Sequence, residues 1–176
     1  YWRMCQCVNE RISIGTNAAD FWELKIAIAI MDQFIQHMTD ISQSGFGYFD
    51  MMRLNFMTTA ALLRNSLAAK LSDSYLRKVI VEGRKLTIPD LKEESYRIVE
   101  MVWQCYQNLK RGGIAFNRID AMFNLMNCSC VYAGFGEYER GMEFLKKIIE
   151  EYTPQNEQEE MVHRILEDKL QEMEKR

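Results

Sequence analysis

Apolar residues recur at intervals of three and four over most of the chain, and this spacing constrains the fold more than any other feature. Residues 20–41 and 48–71 show it most clearly, because each segment places six apolar residues on one face of a helix. No segment alternates between apolar and polar residues for long enough to indicate a sheet. The sequence therefore predicts an all-α protein.

Turn and capping signals divide the chain into about seven helices, which we expect to stack as antiparallel helical hairpins. Ser72 with Asp73 and, later, Asn117 are suited to cap helices, and Pro89 suits a first helical turn. The last segment carries a thin apolar stripe formed by Met161, Ile165, Leu170 and Met173. The expected helices cover 20–41, 48–71, 72 to about 83, about 90–110, 117 to the turn at 134, 137–151, and the residues after 154.

The composition is that of one folded domain, which we expect to span residues 1–176. Apolar residues make up 48% of the 176 residues and charged residues 27%, as in globular rather than disordered proteins. The net charge of −3 gives the whole molecule no electrostatic reason to bind nucleic acid or an anionic membrane.

The cysteines and the N-terminal residues predict a cytoplasmic protein. Five cysteines, an odd number, in a chain long enough to bury a core indicate reduced thiols rather than disulfides. We find no signal-peptide pattern, and charged or polar residues interrupt every apolar stretch before it could span a membrane. Because the chain begins with Tyr1 rather than methionine, we expect a fragment of a longer protein, with a processed protein as the alternative. The five cysteines are Cys5, Cys7, Cys105, Cys128 and Cys130.

Residues 125–149 resemble a single tetratricopeptide motif. Tyr132 matches the tyrosine of the first helix, Gly136 the turn glycine, and Gly141 the small residue at which the two helices touch. Ile148 departs from the pattern, because a second small residue is expected there. Stepping back by one 34-residue period gives no second copy, so an unrelated, tightly crossing helical hairpin remains the alternative. The other matching residues are Leu125, Cys128, Ser129, Tyr138 and Leu145.

The chain is also similar to the C-terminal sensor regions of bacterial helix-turn-helix transcription regulators that respond to peptides, the Rgg-like families. The similarity lies in length, in methionine and aromatic content, and in reduced cysteines. It implies a non-catalytic homodimer that binds a peptide or a protein helix and contacts nucleic acid only through a missing N-terminal domain. Residues suited to the binding groove, with packing in the core as the competing interpretation for each, are Tyr48, Asn55, Trp103, Asn124 and Tyr132.

Other kinds of chemistry find little support in the sequence, and we expect no catalytic residue, cofactor or metal. Glu160 and His163 could supply half of a di-iron site, but such a site needs two pairs of this kind and two further glutamates. A stand-alone helical protein that binds a metal or catalyses a reaction is the alternative to a peptide-binding regulatory domain. The basic segment 72–92, which contains Arg77 and Lys78, would support direct DNA binding as a third interpretation.

Overall fold

The computed structural model describes residues 21–42, 47–71, 80–81, 84–85, 87–113 and 115–175. Within these residues the fold is helical, as predicted, and contains six helices and one very short β-hairpin. The elements are α1 Phe21–Ser42, α2 Gly47–Leu71, β1 Ile80–Val81, β2 Arg84–Lys85, α3 Ile88–Arg111, α4 Arg118–Gly134, α5 Tyr138–Glu151 and α6 Glu157–Glu174.

The expected short helix over residues 72 to about 83 is wrong at its C-terminal end. There β1 and β2 pair antiparallel, with Ile80 opposite Lys85 and Val81 opposite Arg84. Ile80 and Val81 are β-branched and lose side-chain freedom in a helix, which favours the extended conformation. Residues 72–79 lie outside the described residues, so the described part of the chain has six helices rather than about seven.

Helix α2 occupies the centre of the helical assembly. It packs against α1, α3 and α4, whereas α4 also contacts α5 and α6, and α5 packs on α6. Because three helices surround α2, apolar residues are needed around most of its circumference. Leu54, Met57, Ala60, Ala61 and Leu67 are accordingly all buried.

Side-chain caps fix the starts of three helices at the residues where the chain supplies them. The backbone N–H of Asp90 donates to Thr87 Oγ1 at 3.3 Å, and that of Asp120 donates to Asn117 Oδ1 at 3.2 Å. The latter confirms Asn117 as a cap. Asn156 caps α6 in the same way. Each cap satisfies an amide that the helix itself cannot pair, which places the helix start securely.

The turn between α4 and α5 brings these two helices into close contact. Gly136 has φ +83°, a conformation that side chains other than glycine rarely adopt. At Gly141 an added Cβ atom would lie 2.8 Å from the carbonyl oxygen of Ser129 on α4. The expectation that Gly141 lies where two helices touch is therefore confirmed.

The predicted apolar stripe of α6 is confirmed at Met173, which is buried, but it differs from the observed inner face in the first half of the helix. Met161 and Ile165 are exposed, whereas Val162 and Leu166 are buried. Glu159 is the first buried residue of this inner face. It can be buried because its carboxylate is paired with Arg118 at 3.2 Å.

None of the described helices has both the length and the apolar character needed to cross a membrane.

Candidate functional site

A groove opens between the first turns of α2 and the first turns of α4. Its volume is about 370 Å³, near the lower end of the range of about 300–1,000 Å³ for ligand sites. We call it the α2–α4 groove. Its walls include Met51, Met52 and Asn55 from α2, and Phe116, Asp120 and Asn124 from α4 and the segment before it.

Helical spacing explains why these side chains meet in one place. Met51 and Asn55 are four residues apart on α2, as are Asp120 and Asn124 on α4, so each pair lies on one helix face. Direct packing of α2 against α4 then brings the two faces together.

Hydrogen bonds hold the polar wall on α4 in position. Asn117 Nδ2 donates to Asp120 Oδ2 at 2.6 Å, and Asn124 Nδ2 donates to the backbone oxygen of Asp120 at 2.8 Å. Across the described residues, the carboxamide of Asn55 has no hydrogen-bond partner, and its side chain is exposed. A carboxamide offers both donor and acceptor groups, so Asn55 is available to a ligand.

The apolar part of the groove is formed by methionine and phenylalanine. Met51, Met52 and Phe116 are half-buried and pack against the core, and the Phe116 ring meets the Tyr106 ring edge-on at 6.2 Å between centroids. Methionine side chains are flexible and polarisable, so they adapt to different apolar groups. The groove therefore combines an adaptable apolar surface with fixed polar groups.

The structure brings together two of the five residues predicted to form a groove. Asn55 and Asn124 line the α2–α4 groove. Trp103 and Tyr132 are core residues instead, with exposed fractions of 5% and 2%. The side chain of Tyr48, which lies in α2, is outside the described residues.

Cationic side chains cover the two aromatic residues that the sequence analysis placed in a groove. Lys147 Nζ lies 4.1 Å from the centre of the Trp103 ring, and the Arg140 guanidinium lies 4.7 Å from that of Tyr132. Cations over aromatic faces are favourable contacts, and here they occupy the faces that a ligand would need. This is the physical reason for correcting the prediction at Trp103 and Tyr132.

Asp120 is not among the predicted groove residues, although the sequence contains a signal for it. Asn117, Asp120, Asn124 and Asn127 follow one another at intervals of three and four, and so form a polar stripe on an otherwise apolar helix. On a helix that contacts other helices on two sides, such a polar stripe indicates a face that is not covered by the core.

A larger cavity, of about 640 Å³, lies between the start of α5 and the end of α6. Its charged side chains are largely engaged within the protein. Glu137 pairs with Lys92 and with Arg140, and Glu174 pairs with Lys146 at 3.5 Å. We therefore regard the α2–α4 groove, with its unpaired carboxamide, as the better candidate site.

Glu160 and His163, which were considered for metal binding, have other surroundings in the structure. His163 stacks on Tyr152, and its Nδ1 lies 3.7 Å from Glu167, while Glu160 is exposed. In the part of the chain that is described, no group of three or more His, Cys, Asp or Glu side chains is placed to hold a metal ion. Arg77 and Lys78 lie outside the described residues.

The described cysteines are free thiols in distinct environments. Cys128 is buried near Thr58, and burial raises the pKa of its thiol to about 12. Burial also raises the pKa of Cys105, which donates to the backbone oxygen of Asp50 at 3.4 Å. Cys130 is only half-buried and borders a small cavity beside Lys169.

These environments predict unequal reactivity of the thiols. At pH 8 we expect iodoacetamide to modify Cys130 about tenfold or more faster than Cys128, because the reactive thiolate is scarce and inaccessible at Cys128. Peptide mapping by mass spectrometry at timed intervals measures each site separately. In urea the difference should disappear, and equal rates in the native protein would contradict the assigned burial.

Comparison with known proteins gives no match: no family model, no curated protein and no solved structure is significantly similar to this chain.

Proposed function

We propose that the chain is a non-catalytic binding module that holds a short peptide, or a segment of a protein partner, in the α2–α4 groove. The observation that carries this proposal is the position of Asn55. Its carboxamide is without a partner in the described structure and lies in the same groove as Asn124, which belongs to a different helix.

Asparagine side chains at such a position suit a peptide backbone. Each peptide unit has an N–H donor and a C=O acceptor that need partners when they leave water. A carboxamide supplies one acceptor and two donors, and so can satisfy both groups of a peptide unit. With about 370 Å³ available, the groove encloses only part of a peptide.

The resemblance to Rgg-like sensor regions and to a tetratricopeptide motif supports a wider proposal. On this view the domain is the regulatory and dimerisation domain of a cytoplasmic bacterial helix-turn-helix regulator. DNA would then be bound by a separate domain of a longer protein. Peptide binding in the groove is the part of this proposal that can be tested with the chain as it is.

The test compares the wild-type chain with the double variant Asn55→Ala/Asn124→Ala. A random heptapeptide phage library is selected on the wild-type chain, and enriched peptides are measured by fluorescence anisotropy. Loss of two hydrogen bonds should weaken binding by about 5- to 100-fold. The matched control is Asn108→Ala, which removes an exposed asparagine of α3 outside the groove.

Two results would contradict peptide binding in the α2–α4 groove. If the library yields no enriched peptide, or if enriched peptides bind the double variant as tightly as the wild type, the groove is not a peptide site. Helical circular dichroism of all three proteins verifies that a loss of binding is not a loss of folding.

A further inference from the structure

The charge of the α2–α4 groove points to the kind of peptide it selects. We propose that it prefers a peptide in which a lysine or arginine side chain lies next to an apolar side chain. This inference rests on the proposed function, because it presupposes that a peptide occupies the groove. It names the chemistry of that peptide.

Asp120 is the one ionisable side chain among the described residues that line the groove. Its carboxylate is exposed and has no ion-pair partner in the described part of the chain. By contrast, three carboxylates at other helix contacts are paired with cations of the protein. Arg64 pairs with Asp32, Lys110 with Glu151 and Arg118 with Glu159; the last two distances are 3.0 and 3.2 Å.

The Asp120 carboxylate keeps hydrogen-bonding capacity while its position is fixed. Asn117 Nδ2 donates to Oδ2 at 2.6 Å, and the backbone N–H of Asp120 donates back to Asn117 Oδ1. A carboxylate offers about four acceptor positions, so Oδ1 and the remaining position on Oδ2 are open to a ligand. A cation binding there would meet an acceptor that is already oriented.

The apolar side chains of the groove fit the same type of ligand. Lysine and arginine carry long aliphatic stems, which bury well against apolar surface while the charged end stays near water or an acid. Met51, Met52 and Phe116 provide that surface beside Asp120. Proximity of the apolar and acidic parts thus selects a peptide with both features.

An anionic peptide is disfavoured even though the groove includes the start of a helix. The N-terminus of α4 would attract an anion through its free amides. However, Asn117 already binds the N–H of Asp120, and the Asp120 carboxylate would repel a second negative charge. The helix start also weakens the attraction for a cation, so we expect a preference of about two- to fivefold, as for partly exposed ion pairs.

The experiment repeats the heptapeptide selection on four proteins: wild type, Asp120→Asn, Asp120→Glu and Asp90→Asn. Asp90 is a matched control, because it is the third residue of α3, as Asp120 is of α4. Its backbone N–H donates to the capping residue Thr87, and it does not line the groove. Wild type and Asp90→Asn should enrich lysine and arginine, and Asp120→Asn should not. The variant Asp120→Glu keeps the charge and should keep the enrichment.

Individual peptides then give the affinity difference. Replacing the lysine of a selected peptide with glutamine should weaken its binding to the wild type about two- to fivefold and leave its binding to Asp120→Asn unchanged. The inference is overturned if groove-dependent peptides lack a cation, are acidic, or respond equally to Asp120→Asn and Asp90→Asn. In each of those cases the proposed function stands, whereas it falls when no enriched peptide depends on Asn55 and Asn124.

Discussion

Replacing Arg64 with alanine is expected to lower the free energy of unfolding by about 2–4 kcal/mol. The Arg64 side chain is only 6% exposed and binds in three directions from α2. Its Nη2 donates to Asp32 on α1 at 2.6 Å, and its Nε donates to Glu94 on α3 at 2.9 Å. The third donor, Nη1, reaches the backbone oxygen of Ala60 at 3.2 Å. One cation thus ties α1, α2 and α3 together.

The size of this loss in stability depends on the charge state of Arg64 and on how exposed its partners Asp32 and Glu94 are. Burial disfavours the charged form of Arg64, but the hydrogen bonds and charges of Asp32 and Glu94 outweigh burial and raise the pKa. The guanidinium therefore stays charged. Removing one partner of a fully buried ion pair costs about 3–5 kcal/mol. Asp32 and Glu94 are each 45% exposed, so water solvates them after the substitution and the loss is smaller.

Urea unfolding followed by circular dichroism measures this effect. Arg97→Ala is the control, since Arg97 is exposed on α3, and it should change the free energy of unfolding by less than about 0.5 kcal/mol. The free energy of unfolding of Arg64→Lys should lie between those of the wild type and Arg64→Ala, because one ammonium group cannot make all three hydrogen bonds of the guanidinium. A value for Arg64→Ala equal to that of Arg97→Ala would contradict the bridging role.

The helical class of this fold could be predicted from local spacing alone. The segments 20–41, 48–71 and 137–151 each repeat apolar residues along one helix face, and the structure contains helices there. The region before α3 was mistaken because β1 and β2 depend on pairing between separate residues. The β-branched residues Ile80 and Val81 favour the extended conformation, and pairing with Arg84 and Lys85 stabilises it.

The orientation of α6 shows where a pattern of apolar residues fails. The sequence suggests Met161 and Ile165 as inner residues, since both are large and apolar. The structure instead buries Glu159, whose carboxylate accepts from the backbone N–H of Gln155 at 3.0 Å and pairs with Arg118. A charged residue can be buried when it is paired, and that partner, 41 positions away in the sequence, is not visible in a local pattern.

The candidate site was predictable only in part, for a related reason. The sequence offers Asn55 and Asn124 as groove residues, but it does not show whether either side chain reaches the surface. Whether an aromatic residue lines a groove depends on what covers its ring. For Trp103 the cover comes from Lys147 on the next helix but one, so burial follows from tertiary packing.

Replacing Gly141 with valine is expected to lower the free energy of unfolding by about 3 kcal/mol, since overpacking a tight contact typically costs 1–3 kcal/mol and occasionally more. An added Cβ atom would lie 2.8 Å from the backbone oxygen of Ser129 and 2.7 Å from Met173 Cε. Met173 can rotate away, whereas the Ser129 carbonyl belongs to α4 and moves only if α4 and α5 separate. The conformation of Gly141 is not left-handed, so steric contact alone produces the loss.

Two further variants separate this contact from the helix propensity of the new residue. Glu143→Val places valine on the exposed face of the same helix, and its loss should stay below about 1 kcal/mol. In Gly141→Ala, the higher helix propensity of alanine adds about 1 kcal/mol to the free energy of unfolding, whereas the steric contact lowers it. A net loss of stability would therefore still show that the helices are forced apart. If Met173→Ala restores the stability of Gly141→Val, the methionine rather than the Ser129 carbonyl limits the approach of the helices. If it does not, the backbone contact sets the distance between α4 and α5.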